Sequence, residues 1–406
     1  MRRLIWLILL AGALLRSSSP AEIMYTAQEL GQNYQATALN LHGEIAGDHL
    51  GTIPRGAISD GTNWVRTGLS GEHISWSSLS DINDGHWAVG FNTLHPETDP
   101  STSISAIRIN INAPFDIYPL GTLTGEKGQA KARGINNLNV AVGDSLNAAG
   151  KLRAVRFETN GTVTDLGTLG GDSSSAVAIN DQGVIAGDSM NPAGMNRGFI
   201  LDASGIMRDL GTLGGDETFV TGINNRGEII GQSFVSSGEL HAFVFANGQI
   251  QNLGTLPGGK GSIAFGINDH GVIVGAATKE NGALVPFIKY PGQPMQDLSL
   301  MVHAPYPDII ASARAINNRG AILARGRVNG VNYLLRPGAL TITRVGNVAR
   351  VRYAAPIETT VLIERSSNLK IWTPTASIGA VREPFSTDFV LGNAPMSFRG
   401  TVTIAD

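Results

Sequence analysis

Residues 143–146 read Gly-Asp-Ser-Leu, the motif that carries the nucleophile in one class of serine hydrolases. In such enzymes the serine hydroxyl attacks an acyl carbon, and a histidine oriented by an aspartate takes up the proton. This class places the aspartate three residues before the histidine, and none of the eight His residues here has one. The same slot reads Gly-Asp-Ser-Met at 187–190 and Gly-Gln-Ser-Phe at 231–234. We therefore interpret the motif as part of a repeated structure.

Residues 254–261, Gly-Thr-Leu-Pro-Gly-Gly-Lys-Gly, come close to a phosphate-binding loop. The Ser or Thr that would hold magnesium is replaced by Gly261. A strand is predicted to follow, whereas such loops owe their anion affinity to a helix N-terminus. Residues 259–264 fail as a dinucleotide fingerprint for the same reason. We expect no nucleotide cofactor.

Metal-binding motifs are also incomplete. The chain has no Cys, which excludes disulfides and sulfur-ligated metals, and it has no His-Glu-x-x-His. Residues 81–85, Asp-Ile-Asn-Asp-Gly, are too short for a calcium hand loop and lack its distal Glu. We expect no cofactor, but spacing leaves open a calcium ion bound in a channel by residues far apart in the sequence.

A repeat accounts for most of the 406 residues: a short apolar strand, an Asn, a turn, and a second short strand ending in Gly. The Asn residues follow one another at steps of 43, 53, 44, 44, 44 and 49 positions. They are Asn40, Asn83, Asn136, Asn180, Asn224, Asn268 and Asn317. The Asn is expected to bond to the backbone of its own turn, because Asn side chains commonly close such turns.

A second marker, Leu-Gly-Thr-Leu, recurs at 120–123, 166–169, 210–213 and 253–256, and hairpins lie between the two markers. Each unit therefore carries four strands, predicted in one copy at 176–179, 184–187, 198–201 and 207–210. Four antiparallel strands per period of about 40 to 45 residues are typical of a propeller blade. The sequence predicts an all-β, seven-bladed propeller over residues 22–337.

The two ends of this region complement each other. Residues 24–31 match the fourth strand of a unit, and the seventh unit stops one strand short. We expect the N-terminal strand to complete the last blade and close the ring, which removes exposed sheet edges. After residue 337 the period ends, and alternating strands over 338–406 predict a small β-sandwich.

Loops suggest where a ligand would bind. The turns between strands one and two, and three and four, are short, so they share one face. Connections on the opposite face are longer and vary between copies, and function concentrates on variable loops of a rigid scaffold. The candidate ligand-binding residues on that face are Asp144, Asp172, Asp188, Asp216 and Lys260.

The copies resemble a bacterial family of probable extracellular repeats, named HAF after a His-Ala-Phe tripeptide. That tripeptide stands at 241–243, and Asp-Leu-Gly-Thr-Leu-Gly-Gly stands at 165–171 and 209–215. Other copies have Arg or Val in place of His241, so this His is dispensable to the fold. The resemblance implies an exported protein and supplies no catalytic residues. Residues 361–374 resemble part of a fibronectin-like module.

The first 21 residues have the features of an export signal: two arginines, a twelve-residue apolar run, and small residues before Ala21. Its removal takes three arginines and no acid, which moves the net charge from −3 to −6. No cluster of Lys and Arg appears, which excludes nucleic-acid binding. No other apolar segment approaches the roughly 20 residues of a membrane span. We expect a bacterial protein that is secreted, periplasmic or on the cell surface, and monomeric.

Two functional hypotheses remain. The first is a non-catalytic binding or scaffold protein that engages a glycan or a cell-surface protein through the loop-rich propeller face. The alternative is a propeller-type glycoside hydrolase or polysaccharide lyase, in which carboxylates of two blades meet at the channel mouth about 5–10 Å apart. No complete catalytic set is recognisable, so we name no catalytic residue, but abundant Asp and Glu keep the enzyme open.

Overall fold

A computed structural model describes residues 25–337, apart from 32, 53, 68–73, 95–102, 115, 126–127, 203, 303–309 and 328–329. It also describes six strands between 341 and 404. The predicted signal peptide at 1–21 lies outside the described residues. Residues Tyr25–Pro337 form one compact unit, and the strands beyond Gly338 belong to another.

Six four-stranded antiparallel sheets follow one another along the chain, and each is a blade of consecutive strands. Strand β1 (Tyr25–Glu29) precedes them. Blade 1 comprises β2 (Tyr34–Leu39), β3 (Ile45–His49), β4 (Arg55–Ser59) and β5 (Trp64–Arg66). Blade 2 comprises β6 (Ile74–Ile82), β7 (Trp87–Leu94), β8 (Ser103–Asn110) and β9 (Ile117–Pro119). Blade 3 comprises β10 (Ala130–Ile135), β11 (Ala141–Leu146), β12 (Leu152–Phe157) and β13 (Val163–Asp165). Blade 4 comprises β14 (Ser174–Ile179), β15 (Ile185–Met190), β16 (Asn196–Leu201) and β17 (Met207–Asp209). Blade 5 comprises β18 (Gly214–Ile223), β19 (Ile229–Val235), β20 (Leu240–Ala246) and β21 (Gln249–Gly254). Blade 6 comprises β22 (Ser262–Ile267), β23 (Ile273–Thr278), β24 (Leu284–Lys289) and β25 (Gln296–Asp297).

The seventh blade combines both ends of the unit. It contains β26 (Ile310–Ile316), β27 (Ile322–Gly326) and β28 (Asn332–Pro337), and its fourth strand is β1, which pairs antiparallel with β28. The seven sheets make this unit a seven-bladed β-propeller, as the repeat predicts. Among the described residues the only helix is the 3-10 turn Leu298–Met301, and no helix is long and apolar enough to cross a membrane.

The unit beyond Gly338 contains two three-stranded sheets in the described residues. Its strands are β29 (Thr341–Val345), β30 (Val348–Tyr353), β31 (Thr359–Ser366), β32 (Thr373–Val381), β33 (Phe385–Val390) and β34 (Ser397–Ile404). One sheet has the order β29-β30-β33 and the other β32-β31-β34, with every pair antiparallel.

The second strands of blades 1 to 6 carry a Gly opposite the first-strand bulge, and steric crowding explains the absence of a side chain there. The first strand of a blade bulges shortly before its Asn, as between Ala176 and Ala178. A Cβ at Gly187 would stand 2.2 Å from the carbonyl oxygen of Ser175 beside this bulge. At Gly143 the corresponding distance, to Lys131, is 1.9 Å. In these blades glycine lets the second strand pair closely with the bulged first strand, whereas blade 7 has Ala324 at the same position.

Apolar side chains fill the space between neighbouring blades. Phe199, Phe243 and Phe287 lie on the third strands of blades 4, 5 and 6 and are fully buried. Phe199 packs with Ile185 on its own blade and with Val142 on blade 3, and Phe243 packs with residues of blade 4. This burial is the main contribution to holding adjacent sheets together.

Candidate functional site

Seven Asn side chains form a closed ring of hydrogen bonds around the propeller axis. The side-chain amide of each donates to the backbone carbonyl of its counterpart in the next blade, over 2.8 to 3.2 Å. This amide ring consists of Asn40, Asn83, Asn136, Asn180, Asn224, Asn268 and Asn317, and the bond from Asn317 to Asn40 completes it. All seven are buried.

The same side chains also build their own turns. The side-chain oxygen of Asn180 accepts the N–H groups of Gln182 (3.1 Å) and Val184 (2.9 Å). The turn-closing role predicted from the sequence is therefore confirmed, and the link between blades is an addition that a single repeat does not reveal. We call the surface formed by these turns the Asn face, and the opposite surface the loop face.

A second ring lies at the mouth of the channel on the Asn face. This rim ring contains the residue that follows each ring Asn: Leu41, Asp84, Asn137, Asp181, Asn225, Asp269 and Asn318. From Leu41 to Asp269, each backbone N–H donates to the side-chain oxygen of the next member, over 2.7 to 2.9 Å. The side-chain amide of Asn225 bonds both Asp181 (3.0 Å) and Asp269 (3.2 Å).

The rim carboxylates are therefore largely occupied by their neighbours. One oxygen of Asp181 accepts the Asn137 N–H at 2.8 Å, and the other accepts two side-chain amides at 3.0 Å. Carboxylates held in this way have few lone pairs left for a metal ion or a proton transfer. In the described ranges, no group of three or more His, Asp or Glu side chains is placed to hold a metal ion.

Below the rim, the first strands of all seven blades enclose a central cavity of about 450 Å³. Its wall carries the charged side chains Asp81, Arg133 and Arg314. The oxygens of Asp81 accept the N–H groups of Ile82 (2.8 Å) and Ile135 (2.9 Å). Burial raises the pKa of Asp81 to about 6, although both N–H groups act in the opposite direction.

Two predicted site residues, Asp144 and Asp188, are not on loops. Asp144 is buried on β11, where it pairs with Arg133 and accepts the Ser175 hydroxyl of the next blade at 3.0 Å. Asp188 is partly buried on β15 and accepts the Val220 N–H of the next blade at 2.9 Å. The predicted placement of these two on the variable connections is wrong, because the second strands extend further than the sequence indicates and both carboxylates link blades.

The other three predicted residues do lie on the loop face and are exposed. Asp172 precedes β14 and pairs with Lys151 at 2.6 Å, which lowers the pKa of its carboxyl. Asp216 is the third residue of β18, and Lys260 lies in the connection from β21 to β22. The structure does not bring these three together into one site, because they lie at or just before the first strands of three different blades.

The two motif serines and the motif histidine also have structural partners. Ser145 is fully buried, and its hydroxyl accepts the Leu123 N–H at 3.1 Å. Ser189 accepts the Leu169 N–H at 2.9 Å in the same way. His241 bonds the Asn252 side chain on the neighbouring strand. The Gly-Asp-Ser-Leu motif therefore joins a blade to the preceding connection and has no exposed nucleophile.

A cleft of about 700 Å³ opens on the loop face at blades 5 and 6. Leu256 and Met295 form buried parts of its wall, and Leu300 is 57% exposed at its edge. Lys279 and Asp297 form an ion pair in the lining of this cleft, with nitrogen and oxygen 2.5 Å apart. Sequence reasoning missed these residues because they are scattered over three connections and match no motif.

Comparisons with known proteins add the fold alone. No protein-family model matches the chain, and no curated protein does. Solved structures that match include TolB from Acinetobacter baumannii, at 12% identity and a TM-score of 0.40, over 77% of this chain and 65% of that one. The β-propeller domain of the Trilobed protease from Pyrococcus furiosus matches at 11% identity and 0.45, over 79% and 97%. A puromycin-hydrolyzing peptidase from Mycobacterium tuberculosis matches at 10% and 0.48, over 82% and 61%.

The chain spans between half and two thirds of the length of the first solved structures that it matches. Identities among these matches are 9 to 12%. The seven described sheets and their two rings remain the basis for the site.

Proposed function

We propose that this protein is a non-catalytic binding module that captures a peptide segment of a partner protein in the loop-face cleft. The single observation that carries the proposal is the cleft itself, an open depression lined by apolar residues and by Lys279, Glu280 and Asp297. Ligand pockets typically combine an apolar lining with a few placed polar groups. The role is that of an exported binding protein, in the periplasm or on the cell surface.

The wall chemistry favours a peptide over a sugar. No aromatic side chain lines the cleft among the described residues, so it lacks the flat ring on which a sugar would stack. Leu256, Met295 and Leu300 instead suit an aliphatic side chain. The Lys279 ammonium can donate to an oxygen of a peptide backbone or C-terminus, and the Asp297 carboxylate can accept an N–H group. The backbone N–H of Lys260 donates to the Thr278 hydroxyl at 2.9 Å, one residue before Lys279 of the cleft.

Three finer assignments belong to the same proposal. The pairing of β1 with β28 closes the propeller in the mature chain and gives the rigid scaffold that a binding surface requires. The two C-terminal sheets form a small, fibronectin-like sandwich. The repeats are of the HAF type, with His241 as an ordinary structural member.

The hydrolase or lyase alternative has one supporting observation. Asp81 lines the central cavity with a pKa raised to about 6, and a raised pKa suits a general acid. Both of its oxygens, however, accept backbone N–H bonds, and the nearby rim carboxylates are occupied by amides. The geometry therefore favours a binding protein.

Selection of a random-peptide phage library on the purified chain tests the proposal. We expect enriched peptides that share an aliphatic residue, and their synthetic forms should bind Leu300→Asp at least about tenfold more weakly, because a charge replaces an apolar contact. Leu138→Asp is the matched control, since Leu138 is 64% exposed in a turn of the Asn face. Equal loss in both variants, or no enrichment, would refute the assigned cleft. Turnover of chromogenic glycosides that is abolished by Asp81→Asn would favour the enzyme instead.

A further inference from the structure

The central cavity contains one arginine that is not neutralised. Arg314 lies on β26, three residues before Asn317, and lines the cavity. Its guanidinium carbon stands 4.2 Å from the centre of the Phe265 ring on the neighbouring blade. No hydrogen bond or ion pair joins Arg314 to any other residue that the structure describes. Its fork of N–H donors is therefore free, while one flat surface is held by an aromatic ring.

Blade 3 has an arginine at the corresponding position of its first strand, and an acid neutralises it. Arg133 also stands three residues before its ring Asn, and it pairs with Asp144 of the second strand. In blade 7 the second strand instead has Arg325 at the position that corresponds to Asp144, as the pairings Ala313 with Ala324 and Ala132 with Gly143 show. Arg314 therefore faces a like charge where Arg133 has an acid.

Burial and the charge of Arg325 both act to lower the pKa of Arg314. An arginine stays charged in proteins nonetheless, so an anion beside it would relieve both effects. A guanidinium stacked on an aromatic ring is fixed in orientation and binds a carboxylate through two parallel hydrogen bonds. The observation thus points to an absent anionic partner.

We propose that the central cavity binds a small hydroxylated monocarboxylate, such as a sugar acid, with its carboxylate on Arg314. The site is separate from the loop-face cleft and goes beyond the peptide-binding function. A single charge is favoured because Asp84, Asp181 and Asp269 surround the entrance and repel polyanions. The Thr37 and Thr221 hydroxyls of the wall donate to backbone carbonyls and keep lone pairs that can accept from hydroxyl groups of a ligand. The volume of about 450 Å³ accommodates a sugar ring.

Calorimetric titration with galacturonate tests this inference, with galactose and acetate as ligands that lack the carboxylate or the hydroxyls. We expect galacturonate to bind in the millimolar range or tighter, and both other ligands at least about tenfold more weakly. Inorganic phosphate is a further arm, and binding as tight as that of galacturonate would overturn the selectivity for a carboxylate.

Two variants locate the site. Arg314→Gln should weaken galacturonate binding at least about tenfold, and Arg314→Lys should restore only part of it, because a lysine lacks the bidentate fork. Arg319→Gln is the matched control, since Arg319 is exposed in the turn of the same blade. No saturable binding, equal binding of galactose, or an unchanged affinity in folded Arg314→Gln would each overturn the proposal. Peptide binding at the loop-face cleft should be unaffected by Arg314→Gln, so failure here leaves that proposal intact.

Discussion

The amide ring predicts that its Asn residues act between blades as well as within turns. Asn180→Asp separates the two roles, because an aspartate keeps the side-chain oxygen that accepts the Gln182 and Val184 N–H groups. It lacks the NH₂ group that donates to the Asn224 carbonyl at 3.1 Å. It also places a buried carboxylate against that carbonyl.

The cost can be worked from these contacts. Loss of one buried hydrogen bond costs about 1 kcal/mol, and repulsion between carboxylate and carbonyl at a site only 3% exposed adds about as much again. The Asn224 carbonyl keeps its bond from the Gly227 N–H, which limits the penalty. We therefore expect Asn180→Asp to lower the free energy of unfolding by about 2 kcal/mol at neutral pH.

Urea denaturation followed by tryptophan fluorescence measures this difference. Asn191→Asp is the matched control, because Asn191 accepts the Ala193 and Met195 N–H groups in a turn of the same geometry at the surface. The control should lie within about 0.5 kcal/mol of the wild type. Acid should partly rescue Asn180→Asp, since a protonated carboxyl can donate again. Equal destabilisation in both variants would refute the role between blades.

Three further outcomes follow from the described contacts. Burial raises the pKa of Asp188 to about 7, above the ordinary 3.8, so its contribution to stability is lost as pH rises through 7. Between pH 5 and pH 8, the free energy of unfolding of Asp188→Asn should therefore rise by about 2 kcal/mol relative to that of the wild type. Paired urea titrations measure this difference, and no change with pH would contradict the prediction. Gly187→Ala should cost at least about 3 kcal/mol in thermal unfolding, whereas Gly222→Ala, with its nearest neighbour atom 3.7 Å away, should be tolerated; equal effects would rule out the steric explanation. Asp172→Ala should change the free energy of unfolding by less than about 0.5 kcal/mol, because its ion pair with Lys151 is exposed. A larger loss of stability by calorimetry would contradict the view that this pair contributes little.

The propeller architecture can be predicted from the sequence because each blade repeats the same short sequence pattern. Asn180 and its counterparts mark a turn, and the Gly at 187 marks the strand opposite a bulge, so the spacing of these residues indicates the number of sheets. The strand ends were less accurate: β15 reaches Met190, beyond the predicted 187, and β17 ends at Asp209. Strand pairing within a blade continues as far as the partner strand runs alongside, as Met190 pairs with Asn196, and the local sequence of one strand does not encode this.

The candidate sites were much less accessible. Asp188 was chosen because acids in variable connections often bind ligands, but its carboxylate is used by the Val220 N–H of another blade. Arg314 was not singled out, because its significance depends on Phe265 and Arg325, which are 49 and 11 residues away in the chain. Such contacts arise only when the sheets are arranged around an axis.

The amide ring also has a direction. Every Asn donates toward the following blade, and Asn317 donates to Asn40, so the bonds run as an endless chain with no first or last member. A circular permutation that joins the ends of the propeller and opens another connection would keep all seven bonds. Removal of a single whole blade, in contrast, would require the remaining six to change their angles before the first and last amides could meet again.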